Sequence, residues 1–142
     1  MLVFLMQAGF LCLETGKIRS KNSINVAAKN LSDLIVASVV FWLFGFGLMF
    51  GDSLWGIVGT TELLFGAHSS AWQMSFFLFQ LMFCGTAATL LSGAVAERMS
   101  YRGYILVTLI LCCFIYPVVG HWAWASAFNA ENLGWLQKLG FV

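Results

Sequence analysis

The run of residues from 72 to 96 contains no charged side chain, and this feature limits most strongly what the chain can fold into. As an α-helix the run would extend roughly 37 Å at about 1.5 Å per residue, against a hydrocarbon core of about 30 Å. A helix satisfies its own backbone hydrogen bonds, so it is stable where no water is present. The run therefore predicts a helix that crosses a membrane.

The composition of the whole chain agrees with this location. Of the 142 residues, 61% are hydrophobic and 9% are charged, and the mean hydropathy is +0.89, whereas soluble domains are about a quarter charged. The net charge of +1 comes without a dense basic cluster, which argues against nucleic acid as a partner. The four cysteines lie in apolar runs without metal-ligand spacing, and no nucleophile stands beside a base. We therefore expect an integral membrane protein with no cofactor and no enzymatic activity.

The hydropathy pattern predicts an all-α membrane protein with about four transmembrane helices. The predicted spans are residues 1–15, 31–50, 72–96 and 103–125. The first span is short, so either its helix continues through Glu14 and Thr15 or the natural protein begins upstream. Six of the seven basic residues lie in loops 16–30 and 97–102, and none lies in loop 51–71. Because basic loops face the cytoplasm, we expect the amino end to lie outside.

Two patterns mark the surface of the third span. At about 100° per residue, three phenylalanines share one side of the helix: Phe76, Phe79 and Phe83. Three small residues spaced by four form a stripe on another side: Gly85, Thr89 and Gly93. Stripes of this kind let membrane helices approach closely. The periodicity alone allows the phenylalanines to contact lipid or to pack in a core.

Three polar or irregular residues inside the predicted spans have local interpretations. Asp33 is interpreted as a first-turn acid that the helix dipole favours. Pro117 is expected to bend the fourth span, because it leaves the carbonyl of Cys113 without its usual donor. Glu14 is an intramembrane acid and thus a functional candidate, although its neighbours Lys17 and Arg19 favour a local ion pair.

The two histidines are not interpreted as ligands. His121 lies beside Trp122 near the outer end of the fourth span, where packing and hydrogen bonding are expected. His68 lies in the outer loop and is expected to be solvated.

Three separated segments together resemble the ammonium transporter (Amt/Rh) family. They read GKIRSKN from residue 16 with a following Asn25, FQLMFCGTAATLLSGAVAERM from residue 79, and YPVVGHWAW from residue 116. The resemblance implies the amino-terminal portion, residues 1–142, of one eleven-helix transporter domain. It also implies a homotrimer whose subunits each have a hydrophobic pore between two inverted halves.

The resemblance assigns roles to three aromatic residues. Phe79 and Phe83 match the outer and inner rings of a gate, and Trp124 matches the tryptophan of an outer site that recruits the cation. Without the resemblance, Trp124 would be read as part of an interfacial aromatic belt. The twin histidines of the family's pore are expected after Val142.

The function that the resemblance implies is passage of ammonium or ammonia through the bilayer. The alternative is an ammonium sensor domain fused to a signalling protein, which nothing before Val142 distinguishes. A free four-span protein without a pathway is a third interpretation, and it predicts that substituting these three aromatic residues leaves methylammonium uptake unchanged.

Overall fold

The computed structural model describes residues 2–61, 63–66 and 69–140. Seven α-helices are present in this part of the chain, namely α1 (Phe4–Lys17), α2 (Ser23–Val40), α3 (Phe46–Phe50), α4 (Ala71–Ala94), α5 (Tyr101–Ile110), α6 (Tyr116–Trp124) and α7 (Trp135–Lys138). A small antiparallel hairpin pairs β1 (Ser53–Leu54) with β2 (Val58–Gly59). The predicted all-α class is therefore confirmed, with the hairpin confined to a loop.

Three helical segments are long and apolar enough to cross a membrane. They are Ser20–Phe50, Ala71–Ala94 and Tyr101–Ala127, of 31, 24 and 27 residues. Helix α1 is apolar but has 14 residues, or about 21 Å of rise. The helix continues through Glu14 and Thr15 to Lys17, which is one of the two alternatives that the short first span left open.

The second long segment begins about ten residues earlier than predicted. Residues 20–30, expected in a loop because they carry lysines, form a 3-10 turn at Ser20–Asn22 followed by the start of α2. Lys29 is buried rather than solvated, since its Nζ donates to the carbonyl of Met99 at 3.1 Å and lies 5.1 Å from the centre of the Tyr104 ring. A buried lysine with partners of this kind leaves no signal in hydropathy.

Two of the three long segments, Ser20–Phe50 and Tyr101–Ala127, each contain a π turn near the middle. Residues Phe41–Gly45 connect α2 to α3, and Leu111–Ile115 connect α5 to α6, just before Pro117. In the second turn the amide of Tyr116 donates to the carbonyl of Leu111. The sequence predicts an irregularity at Pro117, and the structure accommodates the proline with this widened turn.

The small-residue stripe of α4 packs against α1, as predicted. A Cβ added at Gly85 would lie 3.0 Å from Gln7 Nε2, and one at Gly93 would lie 3.2 Å from Glu14 Oε1. Gln7 Nε2 also donates to the carbonyl of Met82 at 3.0 Å. Because Gly85 and Gly93 have no side chains, Gln7 and Glu14 of α1 fit between the two helices.

A bulky residue at the centre of this stripe should destabilise the fold. Gly85→Leu is expected to lower the free energy of unfolding by about 1–3 kcal/mol, because the new side chain overpacks the contact with Gln7. The matched control is Gly9→Leu, since a Cβ at Gly9 meets nothing within 4 Å. Thermal unfolding in detergent measures both, and an equal effect of the two substitutions would contradict a close α1–α4 contact.

The hydrophobic core lies where the first π turn meets α4. Phe46 is at its centre, with ring centroids 4.3 Å from Phe65 and 5.4 Å from Phe77. Phe76 joins this core through Phe50 at 5.0 Å and stacks on Trp72 at 5.5 Å. Of the three phenylalanines on one side of α4, Phe76 therefore packs in the core.

Two expectations for intramembrane acids are wrong. Asp33 does not sit in a first turn, because α2 begins ten residues before it, and its side chain is fully buried. Glu14 does not pair with Lys17 or Arg19. Arg19 instead reaches Glu97 at 3.1 Å, so the loop after α1 is tied to the loop after α4.

Candidate permeation surface

Phe79 and Phe83 form an exposed aromatic pair on α4. Their ring centroids lie 4.9 Å apart at an interplanar angle of 69°, a favourable edge-to-face arrangement. Their residues are 45% and 36% exposed, unlike Phe77 on the neighbouring face, which is buried in the core. The helix therefore separates its packing phenylalanines from two that face away from the core.

An apolar groove lies beside this pair, between α4 and the second π turn. It has a volume of about 230 Å³, and its lining residues are Ala87, Leu111, Ile115, Tyr116, Val119, Gly120 and Trp124. The groove reaches α4 at Ala87, one helical turn after Phe83. Trp124 lines the same groove and is 45% exposed. The structure thus brings Phe79 and Phe83 together as one pair and places Trp124 in a groove that begins one helical turn from Phe83.

Local sequence fixes the two helices that carry this surface. Helix α4 begins with a capping box, in which Gln73 donates its backbone amide to Ser70 Oγ and its side chain accepts from the amide of Ser70. A capping box satisfies two amides that would otherwise lack acceptors at a helix start. Helix α6 ends at Trp124, where a 3-10 turn, Ala125–Ala127, continues the chain.

The end of α6 is held in place by the segments around it. The indole of Trp122 donates to the carbonyl of Ile57 at 2.9 Å, and its ring lies 5.7 Å from that of Trp135 on α7. Gln137 Nε2 donates to Ser126 Oγ at 2.6 Å. These contacts hold Trp122 while the ring of Trp124, two positions later, stays free of the core.

His121 is a buried structural residue, as its sequence context predicts. Its Nδ1 lies 2.8 Å from the carbonyl oxygen of Met49, and its Nε2 lies 3.0 Å from Ser53 Oγ. The ring thus joins α6 to the end of α3 and to β1. His68 and Glu62 lie outside the described residues. Within the described ranges, no three His, Cys, Asp or Glu side chains are grouped as metal ligands.

Sequence reasoning missed a buried polar cluster between α2 and α5. The hydroxyl of Tyr104 donates to Asp33 Oδ2, and Thr108 Oγ1 donates to Asp33 Oδ1 at 3.3 Å. Lys29 lies one helical turn before Asp33, on the same side of α2. One pattern in the sequence could have indicated this cluster. Polar residues are spaced by four in both helices, as Lys29 and Asp33 in α2 and as Tyr104 and Thr108 in α5.

A second polar site lies in the loop after α4. Asn22 Nδ2 donates to Glu97 Oε1 at 2.7 Å, and Arg19 Nε donates to Glu97 Oε2 at 3.2 Å. The hydrogen bond from Asn22, followed by the bonds and charge of Arg19, lowers the pKa of Glu97 below its usual range. Glu97 is therefore ionised at neutral pH and links both loops.

Fold and site together define a polytopic α-helical membrane protein with an exposed aromatic face beside an apolar groove. The family model described as Ammonium Transporter Family matches residues 1–142. The chain therefore belongs to the ammonium transporter family, as the three sequence segments predicted.

Individual relatives agree with this assignment. A Synechocystis sp. protein named "Putative ammonium transporter sll0537" is 49% identical, over 99% of this chain and 27% of its own length. Ammonium transporter Amt2 of Archaeoglobus fulgidus is 41% identical, over 99% of this chain and 29% of its own length. The chain thus spans less than a third of these relatives.

A solved structure shows the same fold. The protein named "Sensor Amt Protein" superposes with a TM-score of 0.93 at 45% sequence identity, covering 99% of this chain and 35% of its own. The helices of this chain are therefore arranged as they are in that structure.

Proposed function

We propose that the full-length protein conducts ammonium or ammonia across a membrane along the surface formed by Phe79, Phe83 and Trp124. The observation that supports this best is the exposed pair of rings on α4, one helical turn before the groove that Trp124 lines. In this proposal Trp124 recruits the cation at the outer end. Phe79 and Phe83 form the outer and inner rings of a gate.

The energetics of these rings suit selection better than conduction. A ring face attracts a desolvated cation by up to about 2 kcal/mol. A charge at the centre of a bilayer costs about 2.5–3.5 kcal/mol or more. The rings can therefore select a small cation but cannot carry it across alone. The remaining cost is met deeper in the pathway if the proton leaves the nitrogen there, as the family resemblance suggests.

An open surface is not yet a pathway, because a pathway must be enclosed by protein on all sides. Transporter sites lie between repeated halves of a membrane domain, and here Phe79, Phe83 and Trp124 are open on one side. We propose that segments of the complete subunit cover this face, that the subunit forms a homotrimer, and that the amino end lies outside. The lipid bilayer contacts the remaining exposed apolar surface.

Flux through the full-length protein tests the proposed function. Proteoliposomes containing it should show an ammonium-dependent flux, measured as a change of internal pH after a gradient is imposed, that empty liposomes lack. Potassium at the same concentration should give no comparable flux. Absence of an ammonium flux from correctly folded protein would overturn transport.

A second candidate function is ammonium sensing. The structure named "Sensor Amt Protein", at 45% identity, favours it as the alternative. A sensor should bind ammonium with a measurable change in a signalling activity while passing little of it through the bilayer. The same proteoliposomes distinguish the two, because a sensor would bind ammonium and give no flux.

A further inference from the structure

Glu14 occupies a buried position between three helices. The residue is 8% exposed. Its Oε2 accepts a hydrogen bond of 3.1 Å from Asn30 Nδ2 on α2. Its Oε1 lies against α4, 3.2 Å from the place that a Cβ at Gly93 would take. The carboxyl group is thus enclosed by α1, α2 and α4.

A negative charge on Glu14 would have no counter-charge. Within the described part of the chain, the one ion pair with a nitrogen to oxygen distance within 4.0 Å joins Arg19 to Glu97. Lys29 directs its Nζ to the Met99 carbonyl, and the Tyr104 ring beneath it carries the hydroxyl that binds Asp33. Asn30 on α2 and Ser92 on α4 lie next to Glu14. The neighbouring polar cluster consists of Lys29 and Asp33 on α2 with Tyr104 and Thr108 on α5.

Two buried polar atoms in this region have no hydrogen-bond partner, Asn30 Oδ1 and Ser92 Oγ. Their residues are 8% and 0% exposed, and a buried polar atom without a partner is unfavourable. Asn30 binds Glu14 through its other amide atom, and Ser92 precedes Gly93, which contacts Glu14. The site therefore lacks a positive charge, and the amide oxygen of Asn30 lacks a donor.

We propose that Glu14 is a proton-binding site that holds a neutral carboxylic acid at neutral pH. A proton on Oε1 removes the uncompensated charge, which is costly to bury. The protonated carboxyl group can also donate to the Ser92 hydroxyl, which has no partner. Release of the proton leaves a charge against α4, so the protonation state of Glu14 controls how tightly α1 packs there. This inference does not depend on whether the protein transports or senses.

An apolar groove lies one helical turn from this acid. The groove has a volume of about 170 Å³ between α1 and α2, and Leu11 and Asn30 are among its lining residues. Leu11 lies one helical turn before Glu14, and Asn30 is its hydrogen-bond donor. An apolar reagent that reacts with protonated carboxyl groups should therefore reach Glu14, and a charged one should not.

Infrared difference spectroscopy of the full-length protein tests the proton directly. The spectrum of the wild type minus that of Glu14→Gln at neutral pH should contain the C=O stretch of a protonated carboxyl, shifted in D₂O. The same band should remain in Asp33→Asn. A carboxylate band in the first difference spectrum would overturn the proposal, since Glu14 would then be ionised.

Chemical labelling of the wild type needs no variant to fold. Dicyclohexylcarbodiimide takes up the carboxyl proton as the carboxylate oxygen adds to its central carbon, and the peptide gains the mass of one reagent. Mass spectrometry should find this adduct on Glu14, with a yield that falls as pH rises. Glu97, which is ionised and ion-paired in a loop, is the control and should stay unlabelled. Equal labelling of both, or no labelling of Glu14, would contradict the proposal.

Discussion

Replacement of Trp124 by leucine in the full-length protein should raise the ammonium concentration that gives half-maximal uptake by roughly two-fold to thirty-fold. This range corresponds to the loss of a cation–π contact of about 0.5–2 kcal/mol. The maximal rate should change less, because a recruitment site acts before the barrier inside the bilayer. Methylammonium uptake measured over a range of concentrations separates the two parameters.

Two further variants make the interpretation of Trp124 specific. Trp124→Phe keeps a ring face and should retain much of the wild-type affinity. Trp55→Leu removes a tryptophan that is 86% exposed on the β hairpin, outside the proposed surface, and should leave uptake unchanged. If Trp55→Leu weakened uptake as much as Trp124→Leu, the effect would come from general loss of outer aromatic residues. Trp124 would then have no part in recruitment.

Replacement of Lys29 by methionine should destabilise the protein by about 1.5–3 kcal/mol, because a buried carbonyl loses a charged donor. Lys29 and Asp33 are 1% and 0% exposed and lie one helical turn apart, so Lys29 is the positive charge nearest in sequence to a buried carboxylate. The two side chains form no ion pair within 4.0 Å. Removing Lys29 takes a donor from the Met99 carbonyl and leaves the buried acid Asp33 with less positive charge nearby. Unfolding in detergent, followed by circular dichroism, measures the loss.

A double substitution separates charge from the hydrogen bond that Lys29 makes. Lys29→Met combined with Asp33→Asn removes both charges and should recover part of the lost stability, because the asparagine oxygen can still accept from Tyr104 while its amide nitrogen donates to Thr108 Oγ1. Lys21→Met, in the exposed 3-10 turn, is the control and should have little effect. If the double variant is no more stable than Lys29→Met, the loss comes from the bond to the Met99 carbonyl instead.

Much of the fold follows from short-range patterns in the sequence. The uncharged run at residues 72–96 predicts α4 to within two residues at each end, since the structured helix is Ala71–Ala94. The stripe of Gly85, Thr89 and Gly93 correctly predicts a close helix contact. Both features depend on residues within one helix, and a repeating pattern is enough to detect them.

The buried polar contacts could not be predicted in the same way. Charge bias places Lys29 in a loop, yet the side chain is buried because Met99 and Tyr104, about seventy residues away, provide its partners. Asp33 and Glu14 likewise find their partners on other helices. Periodicity contains no information about which helices meet.

The candidate permeation surface was predictable from the sequence only in part. The spacing of Phe79 and Phe83 predicts that their rings share a side of the helix, and the structure places the ring centroids 4.9 Å apart. Their exposure, and the groove that Ala87 and Trp124 line together, required the fold.

The most direct test of this account is a structure of the full-length protein in a lipid bilayer, determined by electron cryomicroscopy in the presence of methylammonium. We expect other segments of the same subunit to enclose Phe79 and Phe83. Density for the cation should lie against the ring of Trp124. Lipid chains packed against both phenylalanines, with no enclosed space beside them, would contradict the account.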